Sequence, residues 1–341
     1  MSCDLSEKEE NPFSFGNDSI GGGKAAASAT SAAPAASATS AAQKFGSILG
    51  FIDIQEFKKR FVYDESGLPL GKGSFGKVYR GVDQETEQPV VVKKVYARPT
   101  RENPGCSPEA VIEEAKIGML FKSPYLCEVF AFSVDDTGFV YIAMEIIPGI
   151  ESFEFFNRNP LLGKTKPRLV LRILRDVARG LATLHFAGFR HGDIKFDNIM
   201  LVFGPSGEFE RAVIIDFGFT MRISDVPHHS DQGSILYAAP EIAQKKLKTE
   251  KVDIWAFGVM LFVLLHGYYP IRSNNPNPHG EFLEIYQKLK KLTESPELPL
   301  YTESDTDINH LRMICARCLE IDQAARISAE ELLKMLLEML P

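Results

Sequence analysis

The sequence predicts an α+β fold in which a small β-rich lobe precedes a larger helical lobe. Two observations carry this. Strand-type runs dominate residues 61–147, and long apolar helical periodicities prevail from 167 to the end. The switch happens once, with no internal repeat. With 341 residues, 45% of them hydrophobic, the chain can bury the core of one large or two coupled domains.

Taken in order, residues 1–43 contain GGGKAAASATSAAPAASATSAAQ, a Gly-, Ala- and Ser-rich tract with almost nothing to bury. It is expected to be disordered, as a tether, a bacterial export signal or a segment without a role. Residues 44–60 read as a flanking helix that packs onto the folded domain. The lobe then runs through FVYDESGLPL, a Gly-rich loop GKGSFGKV at 71–78, and VYRGV and PVVVKKVYA joined by the turn QETEQ. SPEAVIEEAKIGMLF at 107–121 opens on Ser-Pro-Glu and has helical spacing. VFAFSV and FVYIAMEII flank DDTG as a hairpin. In the second lobe, RLVLRILRDVARGLATLHFAG, VDIWAFGVMLFVLLHG and ISAEELLKMLLEML are helices. The longest apolar run, 255–267, is too short to span a bilayer. The N-terminus lacks the order of a secretory signal, and the chain is expected to be soluble.

The net charge of −7 argues against a general nucleic-acid binder. Five scattered cysteines do not make a disulfide framework and suit a reducing compartment such as the cytoplasm, or a host cell reached by export. Cys315 and Cys318 form a lone C-x-x-C that reads as core packing rather than as a metal or redox site.

The chemistry is concentrated in HGDIKFDN at 191–198. An Asp and an Asn five residues apart are what a magnesium-dependent phosphoryl transfer needs: Asp193 to take the proton of an attacking hydroxyl, Asn198 to offer an oxygen to the metal. Lys195 can neutralise a transferring phosphoryl group. Asp216, in DFG, joins Asn198 as a hard oxygen ligand for Mg²⁺. His191 reads as a packing and hydrogen-bonding residue beneath the loop. Gly71, Gly73 and Gly76 form G-x-G-x-x-G, but Val78 and Tyr79 continue as strand where a dinucleotide turn needs a helix. Glycines between strands let backbone approach phosphates. Alternation puts Val91 and Lys93 on one face of their strand and Val92 and Lys94 on the other. Lys93 needs a carboxylate to hold it. Glu114 is expected and Glu113 stays open, since one residue turns a helix by about 100°.

These motifs, with GSILYAAPE at 233–241, DIWAFG at 253–258 and Arg326, resemble the eukaryotic-type protein kinase family over residues 61–341, with HGD in place of HRD. The resemblance implies a bilobal protein-kinase-like fold, lobes 61–147 and 148–341, acting as a monomer on ATP, Mg²⁺ and a protein acceptor. It implies nucleotide contacts from Leu70, Gly71, Gly73, Gly76, Val78, Val91, Lys93, Met144, Glu145, Ile147 and Met200. The catalytic set is Asp193, Lys195, Lys93 and Glu114, and the metal set is Asn198 and Asp216. It also implies that Arg326 pairs with Glu241, and that Asp253 braces the catalytic loop. Lys195 and Ser234 are similar to serine/threonine kinases, with the Ser234 hydroxyl bridging Asp193 and Lys195.

Four departures from the family pattern stand out. Gly192 replaces the arginine that pairs with an activation-segment phosphate, which implies activity without that phosphorylation. Thr220, Ser224 and Ser230 are the candidate phosphosites. Val91 narrows the adenine slot, Gly118 leaves a hole where a large apolar residue packs, and Phe196 replaces a proline. A kinase-shaped binding module and a small-molecule phosphotransferase are the alternative readings. The first is motivated by Val91 and Gly118, the second by the H-G-D spelling.

Overall fold

The computed structural model describes residues 48–73, 76–97, 107–225, 233–298 and 305–340. The 1–43 tail, residues 44–47, Cys3, Cys106 and Ser230 lie outside the described residues, as does the tip of the Gly-rich loop at 74–75. The described chain divides into a β-rich unit, 48–116 with 129–146, and a helical unit, 117–128 with 147–340.

In the β-rich unit, helix α1 (Ile54–Arg60) precedes strands β1 (Phe61–Tyr63), β2 (Gly71–Gly73), β3 (Gly76–Asp83) and β4 (Pro89–Tyr96). Helix α2 (Pro108–Leu120) then leads to β5 (Val129–Val134) and β6 (Phe139–Glu145). The antiparallel sheet has the order β1-β3-β4-β6-β5, and β2 pairs with β3. Val90 and Val92 turn to a cluster with Phe57, Phe61, Ala131, Tyr141 and Ala143, so α1 covers one face of the sheet. Val91 and Lys93, by alternation, take the opposite face. Lys94 belongs to the α1 side, where it pairs with Glu65 at 2.7 Å and lies over the Phe139 ring. Helix α2 starts as Ser-Pro-Glu predicts, with Ser107 Oγ accepting from Ala110 N at 3.2 Å.

The flanking helix is shorter than 44–60. Gly50 takes φ 80°. Ile52 N then donates to Phe132 O, while Gly50 O accepts from Phe132 N, so this stretch runs alongside β5. Asp53 caps α1 by accepting from Gln55 N at 2.9 Å, and of the described residues 48–60 only 54–60 are helical. A sequence that pairs its backbone with a strand cannot also close helical turns there.

The helical unit opens with β7 (Gly149–Glu151), α3 (Ser152–Arg158) and the 20-residue α4 (Pro167–Phe186). Strands β8 (Phe189–Arg190), β9 (Ile199–Phe203), β10 (Phe209–Ile214) and β11 (Met221–Arg222) follow. β9 and β10 form the predicted hairpin, with β7 on its other edge, and β8 pairs with β11. Helices α5 (Lys251–His266), α6 (Pro278–Lys291), α7 (Thr306–Cys318) and α8 (Ala329–Met339) complete the unit. Val252 to His266 in α5 are all buried, which makes this helix the centre of the core. Gly267 ends it in the left-handed conformation. Ser328 and Glu331 close a capping box on α8.

Cys315 and Cys318 are both buried, and burial pushes both thiols up, away from the thiolate that metal binding and redox chemistry need. Among the described residues no helix is long and apolar enough to cross a membrane.

Candidate active site

The β-rich unit supplies the Gly-rich hairpin and the lysine. In the hairpin, Gly71 opposes Val78 and Gly73 opposes Gly76, and Leu70 N donates to Val78 O at 2.8 Å. Gly76 is required for a reason inside the sheet: a Cβ there would lie 2.3 Å from Lys94 O on β4. Lys93 Nζ lies 2.6 Å from Glu114 Oε1, with only 12% and 11% of the two side chains exposed. Glu113 turns the other way and pairs with Lys116 at 2.9 Å. The helix register therefore selects Glu114. Val91, 9% exposed, stands opposite Met144 in the β4–β6 register, and Glu145 follows at the end of β6. Met144 and Glu145 belong to this unit, while Ile147 and Met200 belong to the helical one.

The helical unit builds the reacting loop on Asp253. Its buried carboxylate accepts from His191 N at 2.7 Å and from Gly192 N at 2.8 Å, and lies 2.9 Å from His185 Nε2. Burial works against this charge, but the His185 bond, the nearby His191 and the Gly192 N–H hold the carboxyl below its usual range. His185, on α4, is a positioning residue that sequence reasoning missed. A lone histidine at the end of a helix gave no signal of its partner 68 residues away.

Gly192 takes φ 83°, a region that favours glycine, and a Cβ on it would meet Phe219 O at 2.7 Å. The loop is therefore shaped around a residue with no side chain. His191 is fully buried, its ring centroid 6.1 Å from that of Phe217, and its Nδ1 accepts from Asp193 N at 3.3 Å. It packs and bonds beneath the loop.

Asp193 is the meeting point. Its Oδ2 accepts from Asn198 Nδ2 at 3.0 Å and lies 2.8 Å from Lys195 Nζ. Its Oδ1 accepts from Ser234 N at 3.2 Å. The expected bridge by the Ser234 hydroxyl is replaced by this backbone contact, because the chain before the Ile235–Tyr237 turn points its N–H at the carboxylate. Asn198 Nδ2 also donates to Asp193 O at 2.8 Å, so the side-chain amide hydrogens face Asp193 and the amide oxygen is left for a cation. The 3₁₀ turn Phe196–Asn198 is pinned by Ser152 Oγ, which donates to Phe196 O at 2.7 Å. Phe196 is fully buried against the rings of Phe156 and Tyr237, so the departure from proline fills a pocket.

Asp216 is delivered by β10. Ile214 N donates to Tyr125 O and Ile214 O accepts from Cys127 N, both at 2.9 Å, which fixes the strand two residues upstream. Asp216 itself has φ 67°, a left-handed conformation that Asp tolerates, and its Oδ1 accepts from Gly218 N at 3.1 Å. Two side-chain oxygens, one amide and one carboxylate, suit Mg²⁺. That ion keeps several waters and takes its other ligands from phosphates. Among the described residues no group of three or more His, Cys, Asp or Glu could hold a metal.

Downstream, Arg326 is bidentate to Glu241 at 2.7 and 3.1 Å, with its side chain fully buried, and its guanidinium lies 5.0 Å from the Trp255 ring centroid. Of the candidate phosphosites, Thr220 is buried and its hydroxyl reaches His191 O at 3.4 Å.

A family model described as "Protein kinase domain" matches residues 65–337. The chain belongs to the protein kinase domain family. Among curated proteins it is 32% identical over 232 residues to "Probable serine/threonine-protein kinase 2" of Plasmodium falciparum, covering 68% of this chain and 42% of that protein. It is 29% identical over 264 residues to "Serine/threonine-protein kinase ULK3" of Mus musculus, covering 77% and 52%. A third relative, "CBL-interacting protein kinase 10" of Oryza sativa, is 27% identical over 276 residues, covering 79% and 55%. The chain thus spans about half the length of these relatives. Lys93, Glu114, Asp193, Lys195, Asn198 and Asp216 all lie within the matched range.

Proposed function

We propose that the chain is an ATP-dependent serine/threonine protein kinase, active without phosphorylation of its activation segment. The observation that carries the reading is the set of contacts on Asp193. A carboxylate held by Asn198, Lys195 and the Ser234 backbone is oriented to receive a hydroxyl and take its proton. As the hydroxyl oxygen bonds to the γ-phosphorus of ATP, the bond to the β,γ-bridging oxygen breaks and ADP leaves. Lys195 neutralises charge on the transferring group, and Lys93, held by Glu114, neutralises charge on the phosphates that stay. Mg²⁺, held by Asn198 and Asp216, would supply further neutralisation of the phosphate oxygens. The named activities of the relatives support serine and threonine as acceptors.

Incubated with labelled MgATP and mixed protein acceptors, the protein is expected to label serine and threonine, and Lys93→Met is expected to abolish the label. Label confined to small metabolites would instead favour a small-molecule phosphotransferase.

Independence from phosphorylation is supported by Gly192. At φ 83° and against Phe219 O, this position carries no arginine to read a phosphate, and the Asp253 carboxylate holds the loop directly. Treatment with a broad phosphatase is expected to leave kcat unchanged. A fall in kcat that is restored by rephosphorylation would remove this part of the reading.

A further inference from the structure

Beside Asp193 the helical unit holds a small apolar cavity of about 30 Å³. Ile235, Ala238 and Ile242 form one side of it, and the rings of Phe282 and Tyr286 on α6 form another. The two rings stack with centroids 6.2 Å apart. Phe282 is 38% exposed and Leu283 beside it 46%, so the apolar wall continues out of the cavity onto the surface of α6.

One turn past Tyr286, about 6 Å along the helix, comes Lys290, followed by Lys291. Gln244 Nε2 donates to Leu289 O at 3.3 Å and Leu292 O at 2.9 Å, which brings Lys245 and Lys246 to the same end of α6. All four lysines are exposed, and none is paired with a carboxylate among the described residues, in contrast to Lys288, which is held by Glu284 at 2.7 Å. The helix dipole accounts for cations at 290 and 291, but not for 245 and 246, which belong to another segment. In a chain of net charge −7, this is a local reversal of sign next to an apolar slot that opens beside the acceptor-orienting carboxylate.

We propose that this strip docks an acidic segment of the protein substrate. Carboxylates of that segment, a few residues from the acceptor, reach Lys245, Lys246, Lys290 and Lys291. At about 3.3 Å per extended residue, the rise of about 6 Å from Tyr286 to Lys290 is spanned by roughly two residues, so the acidic residues lie at least about two positions from the acceptor. The proposal rests on the serine/threonine kinase reading above. Single exposed lysine–carboxylate contacts are weak, so the four together are expected to change kcat/KM by about ten-fold, carried in KM, as uniform binding is.

The test uses serine peptides with a tail of Glu, Gln or Lys, placed on either side of the acceptor. The wild-type protein is expected to prefer a Glu tail by about ten-fold over Gln, and the preference is expected to fade at 1 M salt, where the screening length is about 3 Å. The variant Lys245→Glu/Lys246→Glu/Lys290→Glu/Lys291→Glu is expected to reverse the order of Glu and Lys tails while keeping kcat on the Gln-tailed peptide. Equal kcat/KM for the three tails in the wild type, a preference that ignores salt, or a variant with wild-type preference would each overturn the docking. Failure to label any peptide or protein acceptor would overturn the kinase reading, and the docking with it.

Discussion

Asp193→Asn is expected to lower kcat by about 10²–10⁴ while leaving ATP affinity unchanged. The carboxylate faces three protein donors, Asn198 Nδ2, Lys195 Nζ and Ser234 N. An amide in its place keeps the volume but turns an NH₂ toward one of those donors and has no basicity with which to receive the acceptor proton. The change falls on the acceptor hydroxyl and not on nucleotide binding, so it should appear in kcat alone. ATP titration by calorimetry, alongside initial rates, separates the two. A loss of ATP affinity as large as the loss of rate would contradict the assignment. Asp216→Asn should differ in kind, since removing a charged oxygen ligand raises the Mg²⁺ concentration needed for half-maximal rate.

Arg326→Ala is expected to destabilise the helical unit by about 3–5 kcal/mol, because it leaves the Glu241 carboxylate buried and unpaired. The guanidinium also donates to Glu320 O at 2.9 Å and to Lys251 O at 2.8 Å, so two carbonyls lose a partner as well. For a domain of this size the shift in Tm should be on the order of 10 °C. The double variant Glu241→Gln/Arg326→Met should recover part of the loss, since it removes both charges and keeps much of the volume. Thermal melts of the three proteins check this. A single variant that melts with the wild type would show that the pair holds nothing together.

The sequence made the main site residues readable where a local rule applied to them. Strand alternation separated Lys93 from Lys94, and the structure gives each its own face and its own carboxylate. Helix register was not decidable in the same way. Glu113 and Glu114 differ by about 100° around α2, and only the packed helix selects Glu114. The hairpin that carries Asn198 and Asp216 was readable because two apolar runs flank PSGE, whereas β7 is three residues long and has no periodicity to detect. The flanking helix was overextended because apolar residues at 48–52 suit a helix as well as the β-like pairing they make with Phe132.

Contacts made by backbone atoms were the hardest to foresee. The resemblance implied that Asp253 braces the loop, but Ser234 reaches Asp193 through its N–H rather than its hydroxyl, and Gly192 sits at a positive φ. Neither can be read from side-chain chemistry. The cavity bounded by Phe282 and Tyr286 was equally hidden, since it depends on how α6 packs against the segment after Ser234.

The most direct test is phosphoamino acid analysis of protein acceptors after incubation with labelled MgATP, using protein made in a host that lacks protein kinases. The account predicts label on serine and threonine from the first turnover, with no lag, and none with Lys93→Met. Label on no protein acceptor, or a rate that rises only after an activating kinase is added, would contradict it.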